Sequence, residues 1–271
     1  MNTKQSSLST LTDRQHEILM LIYRFRFLNR LQIQTLLNHK QFNRIIIWLN
    51  ELTENNYLIR YYSKSQATIP ATYSLGPAGR KYLKKYPTEQ VKAELLDRVW
   101  REKTTSTQFK SHCQLIADMY LSLITLSKQT NTKLSFFSKT DLYGMKYLIQ
   151  PNPDAYFALE ETEGHIKRYF LEIIDDYATT DKLVQLVLRY FSYYSKQYWQ
   201  NHTEKPFPEI IFICPDIRAK KCLYAVIRRK LKKEPNIRIY LTLRQDIKEK
   251  GICREVLDLV KSNARSRPLV Y

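Results

Sequence analysis

Glycine is scarce in this chain, with five in 271 residues, and proline appears only ten times. A sequence so poor in both has little material for long flexible linkers. No apolar run approaches the roughly 20 residues that a membrane-spanning helix needs, so no bilayer span is expected. The opening residues, MNTKQSSLSTLTDRQ, lack the apolar centre of a secretion signal, and residues 1–10 read as a polar tail. The four cysteines, Cys113, Cys214, Cys222 and Cys253, form no C-x-x-C pair, and the five histidines are scattered. Neither zinc nor a disulfide framework is indicated, and free thiols in a cytoplasmic protein are expected.

Acid is in short supply as well: 26 Asp and Glu stand against 44 Lys and Arg, a formal charge of +18. The balance is uneven along the chain. Residues 1–90 carry +8, residues 91–150 carry +4, residues 151–205 carry −3, and residues 206–271 carry +9. A basic protein with one acidic island points first to a nucleic-acid partner, with attraction to anionic lipid or a merely basic surface as the alternatives. What is present in quantity is core: 44% of residues are hydrophobic, enough for two modest folded domains.

Residues 11–87 read as three helices and a hairpin. Thr12 is placed to cap a helix from Asp13, whose Ile18, Leu19, Leu21, Ile22 and Phe25 repeat at helical spacing. A second helix fits Arg30 to Leu37. A third fits Gln41 to Asn55, with Phe42, Ile45, Ile46, Leu49 and Leu52 turned inward and Trp48 assigned to the core. Tyr57–Tyr62 and Ala71–Leu75 read as strands joined by a polar turn. Those are the parts of a winged helix-turn-helix, and "YSLGPAGRKYL" resembles the closing segment that follows the wing in such domains. The third helix would enter the major groove of double-stranded DNA. Lys40, Gln41, Asn43 and Arg44 lie at its start, and Gln, Asn and Arg suit paired bonds to base edges. Lys64, in the wing turn, would meet a phosphate.

Residues 88–111 read as a helical connector with an apolar stripe of Val91, Leu95, Leu96 and Val99, suited either to joining the domains or to pairing with its copy in a homodimer. From residue 112 to 271 the order of elements is α-β-β-β-α-β-α-β, which predicts a mixed sheet with helices on both faces. The fold class expected for the whole chain is therefore α+β. The acidic island occupies a hairpin within this second region. It gathers Asp154, Glu160, Glu161, Glu163, Glu172, Asp175 and Asp176 against only Lys167 and Arg168. A turn centred on Thr162–Glu163 sets Asp154 across from residue 171 or 172. Two carboxylates that close repel unless a cation or a proton lies between them, and an all-oxygen pair suits Mg²⁺. The bland alternatives are a strand-capping role for Asp154 and a buried ion pair of Glu172 with Arg168, Lys182 or Arg189.

"PNPDAYF" and "YFLEIID" are similar to the first two elements of the PD-(D/E)xK, restriction-endonuclease-like nucleases. The similarity implies Asp154 and Glu172 as ligands of Mg²⁺ or Mn²⁺ and as catalytic residues. The lysine expected two residues beyond Glu172 is replaced by Ile174, which puts catalysis in doubt; Lys182 is the candidate substitute. Together, "YSLGPAGRKYL", "HCQLIADMYLSL", "PNPDAYF", "YFLEIID" and "LRYFSYY" resemble, over about Leu11 to Tyr240, the replication-relaxation family of plasmid and mobile-element proteins. That resemblance implies a DNA-binding role in plasmid replication or mobilisation, alongside other replication or transfer proteins and with no membrane partner. A metal-dependent nickase or relaxase is the alternative. A transcriptional repressor is a further alternative that leaves the carboxylate placement unexplained.

Overall fold

The computed structural model describes residues 11–62, 68–85, 91–99, 105–162 and 164–261. The chain is a mixed α+β protein that divides into two compact units, the first ending at Ala117 and the second beginning at Asp118.

In the first unit, helix α1 (Asp13–Phe25) starts where Thr12 and Gln15 bond reciprocally. Thr12 Oγ1 accepts from the Gln15 N–H at 3.3 Å, and Gln15 Oε1 accepts from the Thr12 N–H at 3.0 Å. Two otherwise orphaned backbone donors are thereby satisfied. Asn29 and Gln32 repeat the device at the start of α2 (Arg30–Leu36). Helix α3 (Phe42–Glu54) follows, then the hairpin of β2 (Leu58–Tyr61) and β3 (Thr72–Leu75). A two-residue strand β1 (Leu28–Asn29) adds to β3, giving an antiparallel sheet of order β1-β3-β2. Ile18, Leu19 and Ile22 of α1, Ile33 of α2, and Ile45, Leu49 and Leu52 of α3 form a shared core with Leu58 and Tyr73 of the hairpin. Trp48 is buried in it, as its place in the sequence suggests. Phe42 is not: it is 41% exposed, with the Arg30 guanidinium 4.0 Å from its ring centroid. The first residue of α3 lies at the rim of the core, and a cation covers the ring instead of apolar side chains.

Helix α4 (Pro77–Lys85) is held against the segment leading into β2 by backbone bonds from Gly76 N–H to the Tyr57 carbonyl and from Ala78 N–H to the Asn56 carbonyl. A Cβ at Gly76 would lie 2.2 Å from the Asn56 carbonyl oxygen, and one at Gly79 would lie 2.3 Å from that of Tyr57. Both glycines of "LGPAG" are thus dictated by close approach of backbone to backbone. A short helix α5 (Ala93–Val99) follows, with Leu96 buried. Helix α6 runs from Thr107 to Gln129, five residues earlier than the periodicity beginning at His112 predicts.

The second unit is built on a six-stranded sheet of order β4-β5-β6-β7-β8-β9. Strands β4 (Lys133–Ser138), β5 (Ala155–Glu160) and β6 (Ile166–Ile173) are antiparallel neighbours. β6, β7 (Glu209–Cys214) and β8 (Ile239–Leu243) run parallel, and the short β9 (Asp258–Leu259) returns antiparallel on β8. Helices α7 (Thr180–Ser195) and α9 (Ile217–Leu231) cross between the parallel strands, with α8 (Tyr198–Thr203) after α7. Leu183, Val187, Tyr190, Leu223 and Ile227 of the crossover helices pack on Phe170, Ile210, Phe212 and Leu241 of the sheet. Phe136 belongs to the other face, where the α6 residue Tyr120 meets it with ring centroids 4.8 Å apart. Helix α10 (Arg244–Lys250) follows β8 directly.

Candidate functional site

Two places in the chain carry the chemistry that the sequence points to. The first is the N-terminal half of α3. Phe42, Asn43, Arg44 and Ile47 are exposed there, and so are Lys40 and Gln41 just before the helix. No acidic residue occurs from Lys40 to Asn50. The Arg44 guanidinium lies 5.6 Å from the Trp48 ring centroid, and His39 packs edge-on against the same indole at 5.0 Å. The buried tryptophan therefore steadies the two cationic or polar groups at the mouth of the helix. Gln41 precedes the helix without a side-chain cap bond, so its amide remains available. Ile47, 43% exposed on the same helix, adds an apolar contact surface. Lys64 lies outside the described residues.

The second place is the start of the acidic hairpin. Register Ala155↔Leu171 puts Asp154 level with Glu172, and the ladder extends to it through the Asp154 N–H, which donates to the Leu171 carbonyl at 3.1 Å. Both side chains are buried, at 4% and 8% exposure. Asp154 Oδ2 accepts from the Ile173 N–H at 2.9 Å, and Lys139 Nζ lies 3.5 Å from Oδ1. Glu172 Oε1 accepts two bonds from α7: from Arg189 Nη2 at 2.8 Å and from the Tyr190 hydroxyl at 2.7 Å. Burial, followed by the neighbouring Asp154 charge, pushes the Glu172 carboxyl up to about 7, against the pull of Arg189, Tyr190 and Lys139. The Tyr190 phenol is held well above its ordinary range by burial and by Glu172.

Lys182 does not join this group. It is exposed in the first turn of α7, where its backbone N–H donates to Thr179 Oγ1. Arg189 is two turns further on, about 10 Å along the axis at 1.5 Å per residue. Asp176 is engaged elsewhere, accepting from Arg244 Nη1 at 2.6 Å. The cation beside Asp154 is Lys139, at the end of β4, which sequence reasoning did not single out. The single signal for it is the antiparallel pairing Ser138↔Ala155, which brings residue 139 level with 154.

Among the described residues no group of three or more His, Cys, Asp or Glu comes together. The two carboxylates face Lys139 and Arg189, so the charges balance within the protein. As folded, one oxygen of each carboxylate, Asp154 Oδ2 and Glu172 Oε1, is already engaged by protein donors.

The family model described as replication-relaxation matches residues 19–210. The chain belongs to the replication-relaxation family. Membership associates it with plasmid or mobile-element replication or mobilisation. The matched span of this replication-relaxation protein includes both α3 and the Asp154–Glu172 pair. No curated protein and no solved structure matches the chain significantly. Among the described residues, no helix is long and apolar enough to cross a membrane.

Proposed function

We propose that this replication-relaxation protein recognises an origin-like site in double-stranded DNA through its N-terminal unit, acting as a winged helix whose third helix reads the major groove. The observation that carries this reading is the run of exposed Lys40, Gln41, Asn43 and Arg44 at the start of α3, uninterrupted by acid and backed by a packed core. Gln, Asn and Arg each offer two bonds to one base edge, and Lys40 offers charge to a phosphate. Ile47 is suited to a thymine methyl. The protein then acts as a DNA-binding accessory of replication or mobilisation, with its second unit of restriction-endonuclease-like type serving as a scaffold in which the ion-paired carboxylates are structural.

One observation favours a second reading, that of a metal-dependent nickase. Asp154 and Glu172 stand level across the β5–β6 pairing with Lys139 beside Asp154. For that chemistry an ion would compete with Arg189 and Lys139 for the two carboxylates. A supercoiled-plasmid nicking assay with Mg²⁺ or Mn²⁺ separates the two readings. The accessory role predicts equal background nicking by wild type, Asp154→Ala and Glu172→Ala. Nicking by wild type that both variants lose would establish the nickase instead. Selection of duplexes from a fragmented replicon by the full chain is expected to enrich one defined segment; recovery of random fragments would count against site-specific recognition.

A further inference from the structure

The second unit contains a cavity of about 450 Å³ at the edge where β6, β7 and β8 begin, lined in part by Lys167, Arg168, Arg238, Gln200, Tyr194 and Phe207. Its volume falls in the range of small-ligand sites. The DNA reading of α3 makes no use of it.

Two features of this cavity point to the same class of ligand. First, its charge is mainly positive. Arg168 has no carboxylate partner among the described residues and donates through Nη1 to the Ile166 carbonyl at 3.3 Å. Lys167 is paired with Glu161 at 2.5 Å, and Arg238 with the lining residue Glu209 at 3.0 Å. Arg238 is 69% exposed, so it can turn to a phosphate in solution while Glu209 orients it. Second, Tyr194 and Phe207 meet edge to face at 5.1 Å and give the cavity an aromatic wall. Cation and ring are the complements of phosphate and sugar-borne base.

We propose that this cavity binds a nucleoside phosphate, and that it does so as one unit of a single-stranded nucleic acid. The adjoining chain supports the polymer over a free nucleotide. The cavity-lining Asn236 and Arg238 follow the exposed Lys232 and Lys233 at the end of α9, whose last turn also carries Arg228, Arg229 and Lys230. Phosphates leaving the cavity along this loop meet further positive charge. The pattern of aromatic platform and basic track is the usual physics of single-strand binding.

The test uses the full chain and two probes: a fluorescent single-stranded oligonucleotide with a 5′-phosphate, read by anisotropy, and a nucleoside triphosphate, read by competition. Arg238→Gln, at an exposed position, and Arg168→Gln are measured singly and together. The double variant is expected to bind the oligonucleotide roughly tenfold more weakly, with a salt slope lower by about 1.4, two phosphate contacts at about 0.7 each. Triphosphate that fails to displace the oligonucleotide identifies the strand as the ligand; efficient displacement identifies the free nucleotide. Bromouracil crosslinking to unaltered protein needs no variant, and is expected to mark peptides containing Tyr194 or Phe207. Unchanged affinity in all variants, together with crosslinks confined to other segments, would overturn the proposal. Duplex recognition by α3 is a separate measurement: Arg44→Ala should alter it and leave the oligonucleotide affinity as in wild type.

Discussion

At the scale of single residues, Glu172 is buried and tightly held, accepting from both Arg189 and Tyr190. Its carboxyl, raised to about 7 chiefly by burial, holds a proton in the folded chain that the unfolded chain releases above about pH 4.5. Folding stability attributable to this group is therefore fully present below pH 4.5 and falls as pH rises to about 7, then levels off. The expected loss is roughly 1–3 kcal/mol. Denaturant unfolding at several pH values should show the wild-type minus Glu172→Gln difference changing by that amount between pH 5 and pH 8. A constant difference would mean that the carboxyl titrates normally. Arg189→Ala removes the buried partner and should destabilise the chain by about 3 kcal/mol at pH 8, the usual cost of stranding a buried charge. At pH 5, where Glu172 is protonated, the same substitution should cost less. The pair itself was legible to within one residue, because a hairpin turn near residues 162–163 sets Asp154 across from residue 171 or 172, and the observed register selects 172. Lys139 and Tyr190 were not. Lys139 reaches Asp154 through a strand pairing 15 residues long in sequence, and Tyr190 looks like any core aromatic until its hydroxyl is seen to bond Glu172.

At the scale of elements, long amphipathic stretches were readable and short ones were not. Helices α1, α3, α7 and α9 and strands β5, β6, β7 and β8 follow from periodicity and β-branched content. Strands β1 and β9, two residues each, lie below the length at which any pattern exists. Helix α6 begins at Thr107 because Phe109 extends the buried face of Cys113 and Ile116 by one turn, packing edge-on against Phe27 with ring centroids 6.0 Å apart. Phe42 misled for a different reason: an apolar residue in the first turn fits the inward face by spacing, yet the core ends before it. The glycines joining β3 to α4 give an element-scale prediction. Gly79→Ala should destabilise the first unit by about 1–3 kcal/mol, since its methyl would lie 2.3 Å from a backbone oxygen that cannot move alone. Thermal unfolding indistinguishable from wild type would show that α4 is not packed as described.

At the scale of the whole molecule, charge is the property that sequence states most directly. A formal +18 with the first ninety residues at +8 predicts DNA affinity that falls steeply with salt. Lys40→Ala should weaken all duplexes alike and lower the salt slope by about 0.9, as expected for one phosphate contact. What composition does not state is where recognition resides, and there the account rests on α3. The most direct measurement is the ratio of specific to nonspecific duplex affinity for wild type, Asn43→Ala and Arg44→Ala, on a segment selected by the full chain. Each substitution is predicted to lower specific affinity by about 1–3 kcal/mol while leaving nonspecific affinity within about threefold, so that the ratio falls. A ratio unchanged in both variants, with the same footprint, would contradict the claim that this helix reads the bases.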